Sequence, residues 1–104
     1  MAVDTFDIAG WQLQCREFIP DVVVDIRQPE AYARARLKGA VNIPYEQLQA
    51  RGPAELLPGQ TVLIVDPAGA RAAEMAVWLR RQGLDAHYLV GGYAQWTGAL
   101  ERSR

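Results

Sequence analysis

The chain has 104 residues, room for one domain and not two, and we read residues 1–104 as a single domain. Half of the residues are hydrophobic, which argues for a packed globule over disorder. Eleven basic residues against twelve acidic ones leave a formal charge of -1, with no pull toward nucleic acid or an anionic membrane surface. The opening residues, MAVDTFDIAGWQLQ, carry no basic stretch ahead of an apolar one, so they do not read as a secretion signal. No apolar run approaches the roughly 20 residues of a membrane span. A single cysteine, Cys15, excludes an internal disulfide and any multi-cysteine metal site. Together these features point to the cytoplasm, with no metal and no cofactor expected.

The elements follow in chain order. Asp21 to Asp25, DVVVD, is a β-branched run suited to a buried strand. Gln28 to Arg34 predicts a short helix, with Pro29 tolerated in its first turn. Ala40 to Ile43 reads as a brief strand stopped by Pro44, and Tyr45 to Ala50 as one or two helical turns before the turn-rich RGPAELLPGQ. Thr61 to Val65 is continuous and apolar, as at the centre of a parallel sheet. Ala70 to Gln82 predicts a helix, with Ala72, Met75, Ala76 and Leu79 on one face and Gly83 suited to the left-handed position beyond its end. Ala86 to Val90 is a further strand, and Tyr93 to Leu100 a last helix after Gly91-Gly92. Strand and helix alternate, so the class is α/β with a mostly parallel sheet. Sites in such sheets form beyond the carboxyl ends of strands, and Asp66 stands at one.

Three blocks of sequence then resemble the rhodanese-like domain family. VVVDIRQPEAYARARLKGAVNIP, from Val22 to Pro44, is similar to the family's Asp-x-Arg, Glu-(Phe/Tyr) and Gly-His-Ile-x-Gly-Ala-x-Asn-Ile-Pro, through Asp25, Arg27, Glu30, Tyr32, Gly39, Ala40, Asn42, Ile43 and Pro44. Ala35-Arg36-Leu37 departs from the Gly-His-Ile part. TVLIVDPAGARAAEMAVWLRRQG matches the strand, loop and helix of the family's active site, and LVGGYAQW matches its closing block through Leu89, Gly91, Gly92 and Trp96. The first 20 residues match poorly. The resemblance implies a three-layer α/β/α sandwich around a parallel sheet of about five strands. It also implies sulfane-sulfur transfer from a donor such as thiosulfate, carried as a persulfide on a loop cysteine. Asp25, Arg27, Glu30, Gly39, Asn42, Pro44, Gly91, Gly92 and Trp96 would then be structural, with Asp25 and Glu30 buried hydrogen-bonding groups rather than an acid–base pair.

Laid on the family's loop, Asp66-Pro67-Ala68-Gly69-Ala70-Arg71-Ala72 places Asp66 at the cysteine position. Gly69 and Arg71 match, while Pro67 and Ala72 replace the common Arg and Ser. A thiolate in such a loop is stabilised by a ring of backbone N–H groups and a helix N-terminus. A carboxylate cannot form a persulfide. Its expected place is inside that ring, accepting the loop N–H groups, so the loop reads as a degenerate active site. Asp66, Gly69 and Arg71 are its anion-binding or loop-stabilising residues. Arg71 either faces the loop, pairing with Asp66 or an outside anion, or is a helix-start residue tied to Asp25 or Glu30.

The remaining singular residues have plainer readings. Cys15 is expected as a small apolar filler, His87 as a surface or strand-edge residue, and Trp11, Trp78 and Trp96 as packing residues. Arg34, Arg36 and Lys38 read as solvated surface. The favoured function is a binding or regulatory module that is no competent sulfurtransferase, with an unknown protein partner or a small anion as ligand. An enzyme acting through Cys15 or through Asp66 chemistry is the alternative; Asp66 as an engineered replacement is another reading of the same residue. A receiver domain is rejected, since only 38 residues follow Asp66 and none is a lysine.

Overall fold

The computed structural model describes residues 5–102. Five strands, β1 (Asp7–Ile8), β2 (Val22–Asp25), β4 (Val41–Asn42), β5 (Thr61–Val65) and β6 (Asp85–Leu89), form one sheet in the order β1-β6-β5-β2-β4. All its pairings are parallel. The helices are α1 (Gly10–Gln14), α2 (Pro29–Arg34), α3 (Tyr45–Glu55), α4 (Ala70–Arg81) and α5 (Gly92–Gln95). A small antiparallel pair, β3 (Ala35–Arg36) with β7 (Glu101–Arg102), stands outside the main sheet.

Side chains alternate across a strand, and β5 shows what that achieves. Val62 and Ile64 face one core with Leu48 of α3 and Met75, Ala76 and Leu79 of α4. Leu63 and Val65 face the other core, with Ile8, Leu37 and Leu89, which Leu13, Tyr32, Tyr93 and Trp96 cover. Both faces of β5 are therefore dry, which is why its sequence is an unbroken apolar run. The molecule is the expected three-layer arrangement.

Several expectations need correction. Residues Asp7–Ile8 add an edge strand and Gly10–Gln14 a helix where the sequence assigned nothing. α3 runs on through Pro53 to Glu55, beyond the expected end at Ala50. Gly52 explains this: without a Cβ it escapes the clash that a following proline imposes, and a Cβ there would lie 3.2 Å from Leu79 Cδ2. α5 ends at Gln95, well short of Leu100. His87 lies on an interior strand and is buried, with Nδ1 2.6 Å from the Thr5 carbonyl and Nε2 2.8 Å from Asp85 Oδ1. Trp11 is 61% exposed and so packs into neither core. Cys15 is exposed at the C-terminus of α1 and fills no core space. Glu30 is exposed in the first turn of α2, where its charge suits the helix N-terminus; it is not a buried hydrogen-bonding group. No helix among the described residues is long and apolar enough to cross a membrane.

At the carboxyl edge of the sheet α5 is pressed onto the β5–α4 loop. The Tyr93 N–H donates to the Asp66 carbonyl at 3.0 Å and the Ala94 N–H to the Pro67 carbonyl at 2.9 Å. A Cβ on Gly92 would collide with the Asp66 carbonyl oxygen and lie 2.8 Å from Ala68 N, and Gly92 has φ 56°. Gly92→Ala is therefore expected to lose about 2 kcal/mol of stability in urea denaturation. An unchanged midpoint would mean that the loop gives way freely.

Candidate functional site

Asp66 is the first residue beyond β5, and a neighbouring carboxylate, Asp25, ends β2; both are buried. Their surroundings are different in kind. Asp66 Oδ1 accepts the Gly69 N–H at 2.5 Å, and Oδ2 accepts the Arg71 N–H at 3.1 Å and the Ala72 N–H at 3.2 Å. All three donors belong to the first turn of α4 or to its cap, Gly69, whose φ of 103° turns the chain into the helix. A helix start leaves its first N–H groups without intrahelical partners and carries partial positive charge. The Asp66 carboxylate meets both needs.

Asp25 is held mainly by side chains, with the Arg27 backbone N–H also donating to Oδ1 at 3.0 Å. Arg27 Nη2 lies 2.7 Å from Asp25 Oδ2, and Nε donates to both oxygens at 3.1 Å. The same guanidinium donates to the Ala35 carbonyl at 2.6 Å and lies 3.8 Å over the Tyr93 ring. Burial works against the charge on Arg27, but hydrogen bonding and attraction to Asp25 more than offset it, and its pKa is raised. Tyr93 closes the network: its hydroxyl donates to Asp25 Oδ2 at 2.8 Å and accepts the Leu37 N–H at 3.0 Å. Burial first, countered by the Leu37 N–H and reinforced by Asp25, pushes the Tyr93 phenol far above the ordinary tyrosine range. Asn42 braces this end of β2, donating to the Asp25 and Arg27 carbonyls at 3.0 and 2.9 Å.

The other motif residues have identifiable places. Gly39, at φ 76°, donates its N–H to Glu101 Oε1 at 3.1 Å; Pro44 caps α3 and Gly91 caps α5. Trp96 donates its indole N–H to the Ala99 carbonyl at 3.2 Å.

A cleft of about 380 Å³ opens between the two carboxylate sites, lined by Ile26, Arg27, Gln28, Ala31, Asp66, Pro67 and Arg71. The exposed Arg71 reaches Asp66 through its backbone N–H, not its guanidinium. The guanidinium lies 4.4 Å over the Tyr45 ring, and among the described residues it pairs with none of Asp66, Asp25 or Glu30. Tyr45 donates to Glu74 Oε2 at 2.8 Å, and that bond raises the phenol's pKa. Gln28 donates to Glu46 at 2.9 Å and holds that carboxylate below its usual range. Tyr93, Tyr45 and Gln28 went unnoticed in the sequence. Tyr93 and Asp25 are 68 positions apart, a distance no local pattern bridges. Cys15 lies on α1, and its thiol has one contact, to the Gln12 carbonyl at 3.9 Å. No group of three His, Cys, Asp or Glu residues among the described ones could hold a metal ion.

Two stability predictions follow from these networks. Asp66→Ala strands three N–H groups in a buried turn and is expected to cost about 3 kcal/mol; Asp66→Asn, which keeps one acceptor oxygen, costs less. Equal midpoints for Asp66→Ala and the native chain in urea would show that water replaces the carboxylate without loss. Tyr93→Phe is expected to cost about 2 kcal/mol, because the Asp25 carboxylate and the Leu37 N–H each lose a partner. The raised Tyr93 pKa sets the sign with pH: its contribution is whole below about pH 10, the ordinary tyrosine value, and fades as pH rises through the folded value. The gap between native and Tyr93→Phe stability should therefore narrow in alkali.

Known proteins share this architecture. The sequence profile of the Rhodanese-like domain family matches residues 11–99. The Bacillus subtilis "Uncharacterized protein YqhL" is 29% identical over 83 residues, and the B. subtilis "Putative sulfur carrier protein YrkF" 30% identical over 80 residues. These alignments take in 79% and 76% of this chain, but the chain spans only 65% and 43% of the two relatives' lengths. The crystal structure of the rhodanese-like domain protein from Staphylococcus aureus superimposes with a TM-score of 0.83 at 25% identity, covering 96% of this chain and all of that one. The profile match, reaching from α1 past Trp96, and the shared three-layer sheet lead to one conclusion: the chain belongs to the rhodanese-like domain family.

Proposed function

We propose that this chain is a rhodanese-like domain that does not transfer sulfur and acts as a binding or regulatory module. The observation that carries the reading is the Asp66 carboxylate inside the ring of Gly69, Arg71 and Ala72 N–H groups. In the family's loop that position belongs to the cysteine whose thiolate takes up the sulfane sulfur. A carboxylate oxygen has no sulfur to accept one, and its charge occupies the donors that would hold a persulfide or a substrate oxyanion. Pro67 and Ala72 support the reading, since the one lacks an N–H and the other a hydroxyl donor. What stays available to a ligand is the rim. Arg71 is exposed beside the cleft with no ion-pair partner among the described residues, so a small anion, or an acidic group on a protein partner, is the ligand class proposed. The exposed, unpaired Cys15 suits a reducing compartment such as the cytoplasm.

The test is thiocyanate formation from thiosulfate and cyanide, which releases sulfite. The native chain is assayed beside Asp66→Cys and beside Asp66→Cys combined with Pro67→Arg and Ala72→Ser. Near-UV circular dichroism confirms the fold of each. The expected result is a silent native chain with turnover appearing in at least the triple variant. Native turnover above a heat-treated control overturns the proposal, and its loss in Cys15→Ser would assign the reaction to Cys15. Silence in every folded variant would sink the view of this loop as a sulfur cradle.

A further inference from the structure

A second groove, of about 490 Å³, shares no residue with the cleft beside Asp66. Its apolar lining includes Leu13, Val23, Leu37 and Trp96. Its charged lining residues are Arg16 and Lys38, and no acid lines it. Neither cation has an ion pair or a side-chain hydrogen bond among the described residues.

Arg16 is unusual in a second way. Its φ is 64°, and it is the one non-glycine residue with positive φ among those described. It follows Cys15, the cap of α1, at a position where glycine is the residue free of strain. Arginine there strains the backbone and brings a guanidinium to the groove's edge, and a strained residue at a surface groove motivates a functional reading. The same segment, residues 11–20, also exposes Trp11 by 61% and Ile19 by 60%. On another wall, the Gly98 and Ala99 N–H groups make no hydrogen bond among the described residues.

We propose that this groove docks an acidic, amphipathic peptide segment of a protein partner. An apolar side chain of the segment sits on Val23, Leu37 and Trp96, and its carboxylates meet Arg16 and Lys38. Charge complementarity selects the sign: a groove bordered by two cations that pair with no described residue, and by no described acid, favours an anionic occupant and disfavours a basic one. The Gly98 and Ala99 N–H groups, without a partner among the described residues, favour a peptide, because they can donate to main-chain carbonyls of an extended segment. The groove's volume falls in the range of ordinary ligand sites.

The test is fluorescence anisotropy of a fluorescein-labelled octapeptide of alternating glutamate and leucine, titrated with the full chain at low ionic strength. A lysine–leucine octapeptide and vesicles of anionic phospholipid are run beside it. The acidic peptide is expected to bind, and the lysine peptide to bind more weakly by about tenfold or more. Arg16→Glu combined with Lys38→Glu should weaken acidic-peptide binding by about tenfold or more, while Arg51→Glu, the same charge change on α3, leaves it alone. Amide shifts in nitrogen-15 spectra should centre on Leu13, Arg16, Lys38 and Trp96. If the double variant fails to fold by near-UV circular dichroism, Lys38→Gln alone is expected to weaken binding by about threefold. Equal affinity for both peptides, binding that survives the folded charge-reversed variants, shifts centred on Arg71 and Tyr45, preference for the vesicles, or no binding at about millimolar peptide would each overturn the proposal.

Discussion

Three peptide N–H groups of a single turn converge on the two oxygens of one buried carboxylate, and the carboxyl edge of the sheet is organised around that convergence. Asp66 is buried because β5 delivers it from the centre of the sheet, between two dry faces. A buried carboxylate is tolerated only when its charge is met, and α4 meets it with the N–H groups that a helix start cannot pair internally. The loop is thereby pinned at both ends: its side-chain acceptor to α4, and its carbonyls, on Asp66 and Pro67, to the N–H groups of α5. Gly92 permits the last of these contacts, since any Cβ would occupy the space of the loop backbone.

The adjacent strand solves the same problem by other means. Asp25 pairs in register with Val65, so its side chain and that of Asp66 emerge from neighbouring strand ends. Here the one backbone N–H among the described residues that donates to the carboxylate is that of Arg27, which belongs to no helix. Arg27 and the Tyr93 hydroxyl meet the charge, and Tyr93 ties α5 to the segment before β4 by accepting the Leu37 N–H. Two buried carboxylates thus serve two purposes. One completes a helix terminus, and the other gathers three separated stretches of chain around a charged group. That α5 takes part in both, through Tyr93, accounts for the weight a four-residue helix carries here.

The fold is a rhodanese-like domain, but a fold does not confer an activity, which resides in particular atoms at particular distances. With the helix start satisfied from within, the other polar residues lining the cleft are Arg71, Arg27 and Gln28, and of these Arg27 is committed to Asp25 and Gln28 to Glu46. The cleft then offers one exposed cation, the Arg71 guanidinium, which lies over the Tyr45 ring. The two proposed surfaces are both cationic and do not overlap, although the whole chain carries a formal charge of -1. It is the placement of charge, not its sum, that distinguishes them.

By itself the sequence determined the α/β class, the strands β2 and β5, helix α4 with its glycine stop, and the position of the loop after β5 that carries Asp66. All of these are local: a hydrophobic run, a helical spacing, a turn residue, a polar residue at the end of an apolar strand. The family's three blocks extended that reading to the sheet as a whole. Only the tertiary structure decided which buried groups meet. Tyr93 reaches Asp25, Arg71 turns from the carboxylates to the Tyr45 ring, and His87 is enclosed on an interior strand. β1 escaped notice because two residues are too few to show a period, and its strand character depends on pairing with Tyr88 and Leu89 far along the chain. Residue spacing fixes what lies within a turn or two of itself. Contacts between elements depend on how the layers pack, and no single segment carries that information.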